Sequence, residues 1–405
     1  MLTRRGFGAV VGVVALAVAG RLLGVLELFV LAAGLGGLLV AGFIATFARR
    51  AKLGASRHVE PARVHVGDES RIDLVVENRG RIRSPVVTIR DSFDDGARQA
   101  RFLLSPIVAG GRDHATYRLP ADRRGRFDLG PLEAQRADPF GLVYRTTAIA
   151  PATQLTVYPA IEAVLQMAPA RGHRPATSQP ATTGPSGEDF ATLRAYEVGD
   201  DLRQVHWPST ARLGELMIRQ LDHPLEGHAT VLLDLRSGSH TEASLERAVS
   251  AAASVLVACS RAGSLVRLTT TEGLDSGFGT GKAHVDSIME RLAVAEAGEG
   301  NHLAGAVGAL SRSRHGGPSA FIGTDGLQAG ELGLVARLQT RRRPLTVVLF
   351  QRADGASQDR GQTIDRASDS TTILQVHSGQ SFAAVWNQAA TRGVRGRAPA
   401  ARGWG

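Results

Sequence analysis

Between Gly6 and Ala48 the only charged side chains are Arg21 and Glu27, and no other feature restricts the fold so severely. A single helix over that stretch would be about 60 Å long, twice the ~30 Å of a bilayer's hydrocarbon core. Two spans joined near Arg21–Glu27 fit. The second, Leu28–Ala48, carries no charge and is long enough by itself. The first is shorter and rich in glycine, so it tilts or thins the bilayer locally. Arg4 and Arg5 precede the pair, Arg49, Arg50 and Lys52 follow it, and the connecting loop carries one charge of each sign. The positive-inside rule then places both ends, and everything downstream, in the cytoplasm of a two-helix membrane protein. A rival reading takes Thr3-Arg4-Arg5-Gly6-Phe7 as a twin-arginine export signal cleaved after Ala17-Val18-Ala19. The second apolar span, closed by Arg49-Arg50, argues against a cleaved, soluble product.

After the hairpin (1–52) the patterning divides the chain four more times. Region 53–167 reads as all-β. Ile72, Leu74 and Val76 alternate with polar residues up to a turn at Asn78-Arg79-Gly80. Val86–Ile89, Phe102–Leu104, Leu142–Tyr144 and Leu155–Tyr158 are further strands, and this spacing predicts an immunoglobulin-like sandwich. Asp138-Pro139-Phe140-Gly141-Leu142 is expected to turn over a buried Phe140. Residues 168–186 hold Pro169, Pro175, Pro180 and Pro185 and no large aliphatic side chain, the composition of a mobile linker. In 187–390 strands and helices alternate. Strands are expected at Thr230–Leu235, Ser264–Thr270, Ala320–Thr324, Leu345–Phe350 and Thr372–Val376. Helices are expected at Glu242–Ala262, Ala283–Ala293, Leu303–Arg312, Gln328–Thr340 and Gln380–Ala390. The first helix turns Leu245, Val249, Ala252, Leu256 and Cys259 inward and ends at Gly263. Such alternation builds a parallel sheet covered on both faces. The Arg-rich stretch 391–405 is expected to be disordered.

The formal net charge is +9, almost all of it arginine, since Lys52 and Lys282 are the only lysines. The basic clusters, Arg341-Arg342-Arg343 and Arg392 to Arg402, lack interleaved aromatics, so nucleic acid is not an expected partner. A single cysteine, Cys259, excludes an internal disulfide framework.

One stretch, Gly187 to Pro224, is dense in opposed charges and aromatic anchors. Glu188, Asp189, Glu197, Asp200 and Asp201 alternate with Arg194, Arg203, Arg212 and Arg219, among Phe190, Tyr196 and Trp207. Gly199-Asp200-Asp201 reads as a turn into a short helix, with Asp201 as N-cap, Gln204 as its capping-box partner and a stop near Trp207 before Pro208. Gly214 then opens a strand at Leu216–Leu221. The pattern G-E-D-F…L-R-x-Y-x-x-G-D-D-x-R-x-V-H-W…A-R, with Arg124-Gly125-Arg126-Phe127…Gly130-Pro131…Asp138-Pro139-Phe140-Gly141-Leu142 upstream, resembles the Domain of Unknown Function 58 family of bacterial membrane proteins. The resemblance implies a membrane hairpin, a β-rich region and a von Willebrand factor A-like α/β domain. It also implies cooperation with a MoxR-type AAA+ ATPase in assembly or maturation of envelope complexes, and it centres on Arg194, Tyr196, Gly199, Asp200, Arg203, Trp207 and Arg212. Those residues either form an ion-pair network fixing the junction to the sheet or dock a partner protein; arginine suits both through bidentate carboxylate pairing.

A von Willebrand A domain holds a metal at the sheet's carboxyl edge through D-x-S-x-S and a later Thr and Asp. Here Asp234 and Asp325 stand in place. Arg236 and Gly238 replace the serines, Ser237 and Ser239 are out of step, and Asn301-His302 replaces the threonine. A guanidinium offers donors and no acceptor, so the site is read as degenerate, with Arg236 paired to Asp234 or Asp325 and no metal or other cofactor. Ser276–Ala283 resembles a phosphate-binding loop but has Ser276 where glycine is needed and Ala283 after Lys282. Asp200, His206 and Ser209 lack a nucleophile elbow and oxyanion donors, so no catalytic set is assigned. The expectation is a membrane-anchored, non-enzymatic interaction protein with its soluble domains in the cytoplasm. The alternative is an outward-facing, metal-dependent adhesion or ligand-binding module.

Overall fold

The computed structural model describes residues 2–48, 52–94, 96–167, 192–196, 205, 207–220, 227–300, 302–313, 317–339, 343–352, 364–368 and 371–395. They fall into two compact units, Met1–Pro159 and Ala160–Gly405.

The first unit opens with α1 (Arg4–Leu23) and α2 (Leu26–Ala48), an antiparallel pair that reverses at Gly24 in the left-handed region (φ 68°). Both are long and apolar enough to cross a membrane. Their apolar side chains point outward, with Phe7 65% and Leu22 79% exposed, a surface that water does not tolerate at this size. Ten strands follow: β1 (Leu53–Glu60), β2 (Arg63–His65), β3 (Glu69–Asn78), β4 (Val87–Phe93), β5 (Arg98–Leu104), β6 (Arg112–Pro120), β7 (Gly125–Leu129), β8 (Leu132–Ala137), β9 (Tyr144–Ala150) and β10 (Thr153–Tyr158). They form sheets of order β1-β3-β6, β2-β10-β7 and β5-β4-β8-β9. The alternation in β3 buries Ile72, Leu74 and Val76 against Val87, Ile89, Leu129, Leu132 and Leu155 in one core. Asn78 closes β3 with its side chain. Its Nδ2 donates to the carbonyls of Ile82 (2.8 Å) and Ile107 (3.0 Å), and its Oδ1 accepts from Gly80 N–H (3.0 Å). Within the unit Asp91 is fully buried. Arg57 donates to both its carboxylate oxygens, and Tyr117 Oη donates to Oδ2 at 2.7 Å.

Two expectations for this unit are corrected. Phe140 is not the buried residue of its turn: it is 53% exposed, while Asp138 is 6% exposed. The Asp138 carboxylate accepts from the backbone N–H groups of Phe140 (3.1 Å), Leu142 (2.6 Å) and Val143 (2.8 Å), so a buried anion holds the turn and no aromatic is required beneath it. The strand expected at Leu142–Tyr144 starts only at Tyr144. Leu142 and Val143 pair instead with the chain's start, through a bridge from Val143 to Leu2 and Thr3 N–H donating to Leu142 O at 2.9 Å.

In the second unit β11 (Thr192–Ala195) pairs with β12 (Met217–Gln220) across α3 (Trp207–Leu213). Then come β13 (His228–Leu233), α4 (Glu242–Arg261), β14 (Leu265–Thr270), α5 (Gly281–Ala293), α6 (Leu303–Arg312), β15 (Ser319–Thr324), α7 (Ala329–Ala336), β16 (Leu345–Phe350), β17 (Ile364–Ser368), β18 (Thr371–Val376) and α8 (Phe382–Arg395). The sheet order is β14-β13-β15-β16-β18-β17, parallel throughout except for β17 at one edge. β13 is a continuous buried run from Ala229 to Leu233, as a strand covered on both faces must be. The five inner-face residues of α4 are all buried, and Thr241 and Ser244 cap it reciprocally. α4 is apolar enough to pass for a membrane span, but twelve of its twenty residues are buried in the α/β unit.

Several boundaries differ from expectation. A helix starts at Trp207: proline in a first turn sacrifices no hydrogen bond, so Pro208 begins this helix, and the helix expected to stop there lies, but for the non-helical Val205, outside the described residues. Asp201 and Gln204, the predicted cap, lie outside the described residues, as does the linker at 168–186. The helix expected to reach Thr340 ends at Ala336, followed by tight i to i+3 bonds at Arg337, Leu338 and Gln339. α8 runs past the predicted boundary at 391 to Arg395. Residues 160–167, assigned by composition to the β-rich region, belong to the second unit. Ser250 Oγ donates to Ala160 O (2.8 Å), and Trp386 Nε1 donates to Leu165 O (2.7 Å).

Candidate functional site

In an open parallel sheet the binding crevice lies beyond the carboxyl ends of the strands, where the strand order reverses. Here that point falls between β13 and β15, because the chain moves from β13 outward to β14 on one side and returns to β15 on the other. Asp234 follows β13 directly, and its N–H donates to Ile322 O in β15 at 2.9 Å. Its side chain is fully buried at the mouth of the crevice.

Arg236 fills that mouth. Its Nε donates to Asp234 Oδ1 and its Nη2 to Oδ2, both at 2.9 Å, a bidentate pair with a side chain only 10% exposed. Nη1 reaches a second carboxylate, Glu331, in the first turn of α7. These hydrogen bonds, the one to Asp234 first, raise the guanidinium's pKa above its ordinary value, so the cation is permanent. The Arg236 hydrogen bond also holds Glu331 below the ordinary carboxylate range. Thr271 completes the floor: its Oγ1 donates to Asp234 Oδ1 (3.3 Å) and accepts from Leu235 N–H (2.8 Å).

The backbone is held as firmly. Gly298 N–H donates to Leu235 O and Ser237 N–H to Gly298 O, each at 2.8 Å, so residue 236 is bracketed like a strand residue. Ser237–Ser239 form a single 3₁₀ turn whose Ser239 carbonyl accepts from Thr324 Oγ1. Asp325, the other acid expected here, does not meet Arg236. It accepts from Arg352 N–H at 3.2 Å, and Arg352 Nη1 donates to Gly238 O at 3.0 Å. His240 follows the turn, and burial lowers its imidazole pKa below the ordinary value. His302 is exposed at the start of α6, and Asn301 lies outside the described residues. The oxygens that would coordinate a cation are thus committed to a guanidinium or to backbone. Among the described residues no three His, Cys, Asp or Glu side chains gather as a metal site.

The signature residues divide. Arg194 is in β11, opposite Ile218. Tyr196 is half-buried, its N–H donating to Leu216 O at 2.7 Å. Trp207, at the start of α3, is 66% exposed, and Arg212 is exposed in that helix's last turn. Leu213 (64%) and Leu216 (39%) are exposed as well. Gly199, Asp200 and Arg203 lie outside the described residues, as does His206; Ser209 is half-buried on α3. The glycine-rich loop before α5 spends its backbone on β14: Val266 N–H donates to Gly279 O (2.9 Å) and Gly279 N–H to Val266 O (3.2 Å). It is an edge strap, not a phosphate cradle. Cys259 is buried in α4, and desolvation pushes its thiol pKa up to about 11.

Sequence reasoning missed Glu331 and Thr271. Gln328-Ala329-Gly330-Glu331 is legible as a capping box, and Glu331 Oε2 does accept from Gln328 N–H at 3.0 Å. Nothing local reveals that its other oxygen meets a side chain 95 positions away.

A model of the family described as "Protein of unknown function DUF58" matches residues 192–392, which take in most of the signature, the crevice and all of the parallel sheet. The chain belongs to the DUF58 family. A relative of this DUF58 protein, the uncharacterized protein YeaD of Bacillus subtilis, is 23% identical over 269 residues, covering 64% of this chain and 66% of that protein. Among solved structures the chain is similar to the CARDB domain of the PF1109 protein of Pyrococcus furiosus, bound to di-metal ions. That match has a TM-score of 0.22 and 16% identity, and covers 28% of this chain and 91% of that one. It is similar also to the Pseudomonas fluorescens alkylpurine DNA glycosylase AlkC bound to DNA, with a TM-score of 0.21, 12% identity, and coverage of 28% and 33%. Likeness at these scores carries no argument about fold or function.

Proposed function

We propose that this DUF58 protein is a membrane-anchored, non-enzymatic interaction module. Its β-rich unit is immunoglobulin-like, its α/β unit is von Willebrand factor A-like, and it works in the cytoplasm with a MoxR-type AAA+ ATPase. The observation that carries the reading is the exposure of Trp207, Arg212 and Leu213 on the short helix α3, and of Leu216 just after it. Tryptophan and arginine are the residues in which interface hot spots are enriched, and a purely structural signature would bury the tryptophan. The bidentate seating of Arg236 on Asp234 supports recognition without a bridging metal. The outward-facing, metal-dependent alternative needs oxygen ligands where Arg236 and Gly238 stand. The test is crosslinking in intact membranes with Trp207→Ala beside the parent chain. Capture of the AAA+ ATPase by the parent and its loss from the variant, at unchanged melting temperature, is the expected result. Equal capture by both, or no ATPase captured by either, overturns the proposal.

A further inference from the structure

The first unit meets the base of its helical hairpin through a loop that local preference alone does not explain. Thr3 Oγ1 donates to Gly141 O at 2.6 Å and accepts from Gly6 N–H at 2.9 Å, so the start of α1 and the 138–143 loop share one cap. A Cβ on Gly6 would lie 2.1 Å from Leu142 O, and one on Gly42 would lie 3.0 Å from Asp138 Oδ2. Glycine at both positions lets the loop press against the helix backbones. Gly42 sits about 9 Å along the axis from the end of α2, at 1.5 Å per residue. The Asp138 loop therefore lies at the depth where a spanning helix leaves the hydrocarbon. Arg136 Nη2 donates to Ala45 O, one of the last four carbonyls of α2, which have no helical partner. The Arg145 guanidinium stacks 5.3 Å from the Phe47 ring centroid. Beside the loop is a groove of about 440 Å³ walled by Leu2, Val10, Leu39, Val40 and Phe43 of the hairpin and by Val143.

A second loop comes to the same pole. Leu53 at the start of β1 pairs with Asn78 at the end of β3, and Arg79 N–H donates to Lys52 O at 2.7 Å. Lys52 is four residues from Ala48, within about 14 Å of the helix end even when fully extended. In that loop Ile82 is 57% exposed between Arg81 and Arg83. Glu77 is taken by Arg79 and Arg112, and among the described residues no carboxylate pairs with Arg81 or Arg83. Arg4 and Arg5 occupy the first turn of α1, where the helix dipole disfavours cations, and both are exposed.

We propose that this pole is itself a membrane contact, in which Phe140 and Ile82 enter the interfacial layer and Arg4, Arg5, Arg81 and Arg83 bind the phosphates of anionic lipids. An exposed aromatic at the level where helices leave the hydrocarbon is what interfacial belts use, and arginines around an aliphatic tip bring the attraction to anionic headgroups. The hairpin then does more than tether: it seats the β-rich unit on the bilayer in one orientation. The inference rests on the hairpin crossing the bilayer.

The experiment is spin-label depth measurement on the full chain in liposomes of phosphatidylcholine, with and without phosphatidylglycerol. Labels go to Ile82→Cys and Phe140→Cys, to Val14→Cys within the hairpin, and to Ala97→Cys at the opposite end of the unit. Cys259 is buried and does not compete for the label. With phosphatidylglycerol the labels at 82 and 140 are expected at interfacial depth, 14 in the hydrocarbon and 97 in water. Arg81→Ala with Arg83→Ala should lower the inserted-to-withdrawn ratio at 82 roughly 30-fold, at about five-fold per arginine near an anionic surface. Aqueous readings at 82 and 140 with a lipid-buried 14 overturn this inference alone. An aqueous 14 overturns the membrane reading with it. Equal insertion in pure phosphatidylcholine overturns the anionic-lipid assignment.

Discussion

Replacing Arg236 by methionine keeps most of its volume and removes its charge. Asp234, fully buried, then loses a bidentate partner at 2.9 Å on both oxygens, and Glu331 loses its ion pair with Arg236. Breaking a buried pair from one side typically costs about 3–5 kcal/mol. Two donors remain to Asp234, Thr271 Oγ1 at 3.3 Å and the residue 236 N–H at 3.2 Å, so the lower end applies, about 3 kcal/mol. For a unit of this size that is a fall of ~6–12 °C in melting temperature. The assay is thermal unfolding of the detergent-solubilised chain, followed by circular dichroism. Asp234→Asn combined with Arg236→Met should melt above Arg236→Met alone, because the uncompensated charge is gone while the shape is kept. A melting temperature for Arg236→Met within 2 °C of the parent would refute the reasoning, since the pair could not then hold the crevice shut (order-of-magnitude threshold, ~1 kcal/mol or less).

Millimolar Mg²⁺ or Mn²⁺ should leave the parent's melting temperature unchanged, and Arg236→Ser should not gain strong Mg²⁺ binding because Gly238 and His302 supply no side-chain oxygen. Stoichiometric, micromolar binding to the parent by calorimetry would contradict this. The Arg236 hydrogen bond holds Glu331 below its ordinary 4.5, so it contributes stability above pH 4.5 that is lost as pH falls through the lower folded value. Melting curves from pH 6 to 3 should therefore fall more steeply for the parent than for Glu331→Gln; parallel curves would sink the idea. Tyr117→Phe removes a 2.7 Å hydrogen bond to the buried Asp91 and should cost about 1.5–3 kcal/mol by denaturant unfolding. Reporter fusions after Ala48 and at Gly405 should behave as cytoplasmic, and alkaline phosphatase activity at either would overturn the topology.

Much of the architecture was legible because it rests on periodicity. The uncharged run Leu28–Ala48, the alternation of Ile72, Leu74 and Val76, and the apolar stripe of α4 each declare which face leaves water. The turn at Asn78 was equally legible, since an asparagine side chain can satisfy the backbone within a few residues of itself. What failed locally was chemistry with two solutions. Pro208 both ends helices and begins them, and only the position of Trp207 in α3 decides between the two. Phe140 and Asp138 compete for the inside of one turn, and a carboxylate satisfying three backbone N–H groups displaced the aromatic to the surface.

For the crevice, sequence determined that a cation stands two residues after Asp234, where a metal site needs an oxygen. Tertiary structure alone decided which acid it meets. Asp325, just after β15, accepts from Arg352, and Glu331 reaches Arg236 from the first turn of α7, a meeting of residues 95 positions apart that only the folded chain brings about. A sequence states the charges along a chain. Only folding, by excluding water from one gap in the sheet, makes one pairing among them far stronger than the rest.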